Sequence, residues 1–102
     1  DKPVRLSYSG TVTSNEAEYD TLIAALRGLL DLLASVGHDP RQTTVEVRGD
    51  SRLVIAQVTG EWQAREPRMR ERRDEVLALA EKFKRVVFKQ ETRQAIVRLL
   101  GH

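Results

Sequence analysis

The sequence contains no cysteine, and its charges are nearly balanced. Without cysteine the chain has neither a disulfide scaffold nor a thiolate metal site. Its 17 Lys and Arg residues against 15 Asp and Glu residues give a net charge of +2, a mild basic bias and not a polybasic tail. No apolar run approaches the ~20 residues that a membrane-spanning helix needs. No charged and then apolar leader follows Asp1, so we expect a cytoplasmic protein.

The sequence does contain a regular alternation of strand-like and helix-like segments. At 102 residues, with 40% hydrophobic and 31% charged residues, the composition is that of one globular domain, residues 1–102. Alternation and short apolar runs predict strands at 4–12, 43–48 and 86–88. Apolar residues at three- and four-residue steps predict helices at 14–36, 52–58, 67–83 and 92–100. The order β-α-β-α-α-β-α predicts a layered α/β fold with parallel strands and right-handed crossovers.

The same periodicity indicates which side chains form the core. Six residues of the first predicted helix share one face: Tyr19, Leu22, Ile23, Leu26, Leu30 and Leu33. The spacing from Thr13 to Glu16 is that of a capping box at the start of this helix. In the second predicted strand, Val45 and Val47 are expected to point inward and Glu46 outward.

Two acidic residues fall where parallel strands are expected to end. Asp50 directly follows the second predicted strand, and Glu18 lies in the first turn of the first predicted helix. Because parallel βαβ units bring the carboxyl ends of their strands to one edge of the sheet, both acids are expected there. Glu18 precedes Leu22 by four residues and therefore shares its apolar face, where a carboxylate is costly without a partner. Glu16 lies off this face and is expected to contact solvent.

Two interpretations of this pair are open. In the structural one, Glu18 favours the positive end of its helix, and Asp50 makes a turn or a cap. In the functional one, the two carboxylates converge and bind Mg²⁺ or Mn²⁺, which prefer oxygen ligands. A pair of acids at one edge indicates a metal site more strongly than either acid alone.

Three segments of the sequence together resemble ribonuclease H. They are Ser14–Tyr19, which leads into the apolar helix, Val45–Ser51, and Gly60–Trp62. The resemblance covers roughly residues 5–90 and is strongest to the compact bacterial and archaeal type 1-like branch of the family. It implies a ribonuclease H-like α/β fold with a central mixed sheet flanked by helices.

The resemblance also implies roles for individual residues. Glu18 matches the helix-borne metal carboxylate of the family and Asp50 its strand-end metal carboxylate, so both are predicted as catalytic residues that hold Mg²⁺ (or Mn²⁺). Asn15 matches a residue that contacts the RNA sugar edge, and Ser51 follows the strand-end acid as in the family. The implied activity is hydrolysis of the RNA strand of RNA/DNA hybrids with two divalent ions. The 2′-OH distinguishes the RNA strand.

Two of the four acids in the family pattern have no match in this sequence. The family begins with a strand that carries an Asp and a glycine-rich hairpin, and nothing of this kind precedes Val4. The final helix of the family carries another Asp, and neither Glu91 nor His102 fits that pattern. Without the N-terminal strands, the first two strands present here would lie about 14 Å apart and could not pair. Either the sheet closes up, or a missing segment or a second chain fills the gap; we favour the second, an N-terminally incomplete domain.

Five arginines crowd the start of the third predicted helix: Arg65, Arg68, Arg70, Arg72 and Arg73. Acidic residues are interleaved with them, which is typical of a solvated face with salt bridges between helical turns. The alternative is contact with the phosphates of a nucleic-acid duplex. Under this alternative Arg65, Arg68 and Arg70 join Asn15 and Ser51 as predicted nucleic-acid-binding residues. The neighbouring Trp62 is more often a packing anchor than a base-stacking platform.

Three functions are consistent with these observations. The leading hypothesis is a ribonuclease H-like domain that binds RNA/DNA hybrid and, when complete, hydrolyses its RNA strand with Mg²⁺. The alternative is a non-catalytic nucleic-acid-binding or assembly module on the same fold, which the unmatched acids favour. The third is a purely structural interaction domain.

Overall fold

Three parallel strands form the sheet of this chain, for which a computed structural model describes residues 3–8 and 14–90. The strands are β1 (Val4–Tyr8), β2 (Thr44–Gly49) and β3 (Arg85–Gln90), in the order β1-β2-β3. Val4 lies opposite Val45, and Val45 lies opposite Val86. This register brings the carboxyl ends of all three strands to one edge of the sheet.

Three α-helices connect the strands. They are α1 (Asn15–Ser35), α2 (Arg52–Val58) and α3 (Pro67–Ala80), and a 3₁₀ turn (Pro40–Gln42) precedes β2. Pro67 occupies the first turn of α3, where its missing N–H would be unpaired in any case. α1 ends just before Gly37, whose φ of 73° places it in the left-handed region that favours glycine. None of the helices in the described ranges has the length and apolarity to cross a membrane.

The core lies on one face of the sheet. Val45 and Val47 of the central strand are fully buried there, against the apolar face of α1. Val54 of α2 and Val76 of α3 close the same cluster, so the three helices share this face of the sheet. The inward orientation of Val45 and Val47 is confirmed. Burial of these branched side chains supplies the main stabilising free energy of the fold, at about 25 cal/mol per Å² of apolar surface.

The opposite face of the sheet carries a cluster of charges around Glu46. Its carboxylate accepts from Lys89 Nζ at 2.9 Å and pairs with Arg5 Nε and Arg48 Nη2, each at 3.3 Å. The hydrogen bond from Lys89 is the main cause of a lowered pKa at Glu46. Glu46 points away from the core, as predicted, but only 9% of its surface is accessible. Long basic side chains from the two neighbouring strands cover it, and this cannot be read from alternation within one strand.

The pairing of β1 with β2 is that of a sheet that closes up, which was the less favoured of the two expectations. The two strands pair directly over five residues, so the described strands leave no gap of several strand spacings. All described pairings are parallel, whereas the resemblance implied a mixed sheet. Direct pairing satisfies backbone groups of β2 that would otherwise lack partners.

One local boundary differs from the prediction. The N-cap of α1 is Ser14, one residue after the start of the predicted capping box, because its extended backbone lets its hydroxyl accept from the Ala17 N–H at 3.0 Å. β1 is described over Val4–Tyr8, and residues 9–12 of the predicted first strand lie outside the described residues. The predicted helix at 92–100 also lies outside them.

Candidate active site

The carboxyl ends of β1 and β2 bring the two predicted metal ligands to the same edge. Tyr8 lies opposite Gly49 at the ends of these strands, and Asp50 directly follows Gly49. Glu18 lies in the first turn of α1, the helix that follows β1. The predicted placement of Asp50 at a strand end and of Glu18 in a first helical turn is therefore confirmed.

Glu18 occupies the start of the buried face of α1. It is half-buried, whereas Tyr19, Leu22 and Leu26 further along that face are fully buried. Glu18 thus lies where the side chains of α1 change from exposed to buried, in the first turn, where the helix dipole favours an anion. A carboxylate in this position is held by a rigid helix and not by a mobile loop.

Asp50 is fixed between a strand and a helix. It is half-buried, and the next residue, Ser51, caps α2 by accepting from the Val54 N–H at 3.3 Å. The hydroxyl of Ser51 is thereby hydrogen-bonded within the protein, and the Ser51 side chain is buried. The predicted contact of Ser51 with nucleic acid stays a prediction, while the structure shows its role in starting α2.

The donor chemistry of these acids suits Mg²⁺ or Mn²⁺. Both ions prefer oxygen ligands, and Mg²⁺ is commonly bound through one or two carboxylates together with waters and substrate phosphates. Within residues 3–8 and 14–90, no group of three or more His, Cys, Asp or Glu side chains could hold a metal ion. Glu91 and His102 lie outside this part of the chain. The described residues thus contain at most a partial ligand set.

Asn15 begins α1 and is exposed. It precedes Glu18 by three residues, so the two side chains lie about one helical turn apart at the same edge of the sheet. Its amide group has both donors and an acceptor available for a sugar hydroxyl. The predicted contact with the RNA strand remains a prediction, and the position of Asn15 is compatible with it.

Some of the arginines near the start of α3 form salt bridges to α1. Arg68 pairs with Glu16 at 3.5 Å, and Arg72 pairs with Glu16 at 3.9 Å and with Asp20 at 3.0 Å. Glu16 was expected to face solvent, and these two arginines of α3 also contact it. Arg73 pairs with Asp74 at 2.9 Å. These three arginines form salt bridges, as the structural interpretation of the cluster expected, but Arg68 and Arg72 pair with acids of α1 and not with the interleaved acids of their own helix.

Arg65 and Arg70 differ from these arginines. Arg70 donates to the backbone carbonyls of Ala64 and Arg65, at 3.3 and 3.2 Å, and both arginines are exposed. Carbonyl oxygens carry no net charge, so these contacts leave the positive charge of Arg70 without a compensating carboxylate in the described part of the chain. Arg65 and Arg70 are better placed than Arg72 to contact phosphates.

Three contacts near the site were missed from the sequence. Arg52, in the first turn of α2, lies over the Trp62 ring at 5.1 Å and pairs with Glu61 at 3.2 Å. Trp62 is 42% exposed, and its ring contacts this guanidinium group. The hydroxyl of Tyr19 donates to Gln57 at 2.6 Å in the core. The sequence did offer one signal for the Tyr19–Gln57 contact, because Gln57 lies in a helix whose other buried residues are apolar. A buried side-chain amide needs a hydrogen-bond partner.

The sheet, the helices on it and the two acids at its edge define an α/β domain of the ribonuclease H class. The reverse transcriptase-like family matches residues 4–97. The chain belongs to this family.

Comparison with known proteins gives the same class. Ribonuclease HI of Halobacterium salinarum is 45% identical over 64 residues, which are 63% of this chain and 28% of that protein. The crystal structure of RNase H1 from Halobacterium salinarum matches with a TM-score of 0.67 at 37% identity, covering 82% of this chain and 58% of the other. LC11-RNase H1 in complex with an RNA/DNA hybrid matches with a TM-score of 0.67 at 29% identity, covering 90% and 64%. The chain thus spans less than two thirds of the length of the haloarchaeal proteins that it matches.

Proposed function

We propose that this chain is the part of a ribonuclease H that binds RNA/DNA hybrid and supplies two carboxylates for metal-dependent hydrolysis of its RNA strand. The observation that carries this proposal is the placement of Glu18 and Asp50 at one edge of a parallel sheet in a chain of this family. The hybrid in the matched LC11-RNase H1 structure supports the choice of substrate.

Glu18 and Asp50 hold Mg²⁺ or Mn²⁺ in this proposal, and a bound ion would activate water and neutralise charge on the leaving oxygen. Asn15, exposed at the same edge, contacts the sugar edge of the RNA strand, where the 2′-OH distinguishes RNA from DNA. Arg65 and Arg70 contact phosphates without regard to sequence, and Arg68 contributes when hybrid competes with Glu16. Two carboxylates hold two neighbouring cations weakly, so further oxygen ligands from an additional segment or chain complete the site.

A cleavage assay with labelled RNA/DNA hybrid in Mg²⁺ and Mn²⁺, on the full-length protein, tests this proposal. Asp50→Asn and Glu18→Gln are expected to abolish cleavage while hybrid binding is kept, because each removes a negative metal ligand without changing side-chain size. Asp31→Asn is the matched control, since Asp31 is an exposed acid about 20 Å further along α1. Full activity in both site variants would overturn the assignment.

The alternative is a non-catalytic nucleic-acid-binding or assembly module. It is favoured by the finding that the described residues contain no cluster of three or more potential metal ligands. Hybrid binding that weakens with salt, together with no cleavage by the full-length protein in either metal, would support the module over the enzyme.

A further inference from the structure

A buried hydrogen bond joins the two helices that begin beside the proposed metal ligands. The Tyr19 hydroxyl donates to Oε1 of Gln57 at 2.6 Å, and the two residues are 0% and 7% exposed. They are 38 residues apart in the sequence. Packing alone does not require such a pair, because two apolar side chains of similar shape would fill the space without polar groups to satisfy. The pair therefore points to a requirement for a fixed geometry.

Each partner is connected by a short length of rigid backbone to one of the two acids. Tyr19 directly follows Glu18 in α1. Gln57 lies on α2, which begins two residues after Asp50, and Gln57 is about 7.5 Å along that helix from its first residue. Hydrogen bonds are directional, so this one restricts both the distance and the rotation of α1 relative to α2. The same restriction applies to Glu18 relative to Asp50.

We propose that Tyr19 and Gln57 are positioning residues, whose hydrogen bond sets the spacing of the Glu18 and Asp50 carboxylates and thereby their affinity for Mg²⁺. This inference rests on the part of the proposed function in which the two acids bind metal. Mg²⁺ requires nearly octahedral oxygen ligands at about 2.1 Å, so small shifts of one ligand weaken binding. Groups that orient metal ligands typically change metal affinity or activity by about 10- to 100-fold.

The test is Tyr19→Phe in the full-length protein, which keeps the buried ring and removes only the hydroxyl. Mn²⁺ binding is measured by electron paramagnetic resonance, and the Mg²⁺ dependence of hybrid cleavage is measured in parallel. We expect the half-saturating metal concentration to rise on the order of tenfold in both measurements. Hybrid binding in the absence of metal is expected to stay unchanged, because Tyr19 is buried and does not contact the ligand.

Two further variants separate positioning from loss of stability. Leu33→Ala removes a buried side chain at the far end of α1 and destabilises the core, but it is expected to leave metal affinity unchanged. The double variant Tyr19→Phe with Gln57→Leu leaves no unsatisfied polar group, so its unfolding free energy is expected to recover. Its metal affinity is expected to stay low, because the directional constraint is still absent.

The outcomes distinguish this inference from the proposed function. If hybrid is not cleaved but Tyr19→Phe weakens Mn²⁺ binding, the enzymatic proposal fails and the positioning role stands. If Asp50→Asn loses Mn²⁺ binding while both Tyr19 variants bind like the wild type, the positioning role is overturned alone. Recovery of metal affinity together with stability in the double variant also overturns it, as does a wild-type protein that binds no Mn²⁺.

Discussion

Glu46 illustrates at the residue scale how neighbouring cations set the charge state of a shielded carboxyl group. Lys89, Arg48 and Arg5 all contact it, and the Lys89 hydrogen bond is the main cause of its lowered pKa. The ionised form is therefore favoured by folding. Such a group contributes stability above the ordinary carboxyl pKa of 4.5 and loses that contribution as pH falls through the lower pKa of the folded state.

We expect Glu46→Gln to flatten the acid side of the pH–stability curve. The wild type should lose stability as the pH falls below about 4.5, whereas the variant, which has no proton to take up at this position, should lose less. Urea denaturation at a series of acidic pH values measures this difference. Glu81→Gln, at an exposed glutamate, is the control and should follow the wild type. Parallel curves for all three proteins would contradict the prediction.

Tyr19 shows the opposite effect at alkaline pH. Burial raises its pKa to about 12, and the nearby Arg73 opposes this only in part. Folding thus favours the neutral phenol, so its contribution is complete below pH 10 and is lost as pH rises from 10 towards 12. We expect Tyr19→Phe to remove this alkaline loss of stability. Absorbance at the phenolate band, compared between the wild type and the variant over this pH range, measures the titration of Tyr19.

At the scale of the elements, α2 depends on its cap because it is only seven residues long. Isolated helices of this length are marginal in water, and Ser51 satisfies one of the free N–H groups at its start. We expect Ser51→Ala to lower the free energy of unfolding by about 1 kcal/mol and Ser51→Thr, which keeps an acceptor oxygen, by less. Urea denaturation provides the measurement. A Ser51→Ala protein as stable as the wild type would show that the cap is dispensable.

The existence and type of these elements could be predicted from the sequence. Alternation around Val45 and Val47 and the three- and four-residue spacing around Leu22 and Leu26 reflect burial on one face, which is a local property of the chain. Strand pairing is not local. The direct pairing of β1 with β2 contradicted an expectation based on the family pattern, because residues alone do not reveal which strands become neighbours.

The same distinction applies to the site. The positions of Glu18 and Asp50 followed from element boundaries and could be predicted. The Tyr19–Gln57 hydrogen bond and the charged cluster around Glu46 could not, because their partners come from distant segments. Gln57 alone gave a signal, as a polar residue in a helix that is otherwise apolar at its buried positions.

For the whole molecule, the net charge is only +2, but the positive charges are unevenly distributed over the surface. Arg65 and Arg70 are exposed near the start of α3, whereas Arg72 is engaged with Asp20 and Glu16. Since each phosphate contact releases condensed counterions, the logarithm of hybrid affinity should fall linearly with the logarithm of salt concentration.

We expect Arg65→Ala and Arg70→Ala each to reduce the magnitude of the slope of log affinity against log salt concentration by about one. Arg72→Ala is the matched control and should change the slope little, because its charge is already neutralised within the protein. Fluorescence anisotropy of labelled hybrid over a range of salt concentrations measures the slopes. Equal slopes for all three variants would show that residues other than Arg65 and Arg70 contact the phosphates.

The pairing of β1 with β2 also bears on the order in which the molecule assembles. Val4 and Val45 are about 40 residues apart, so their contact closes a long loop and follows the formation of local helices. β2 has a strand on each side, whereas within the described residues β1 is bonded on one side only. In native-state hydrogen–deuterium exchange, the amides of β1 should therefore exchange faster than those of β2, as the segment that joins last and opens first.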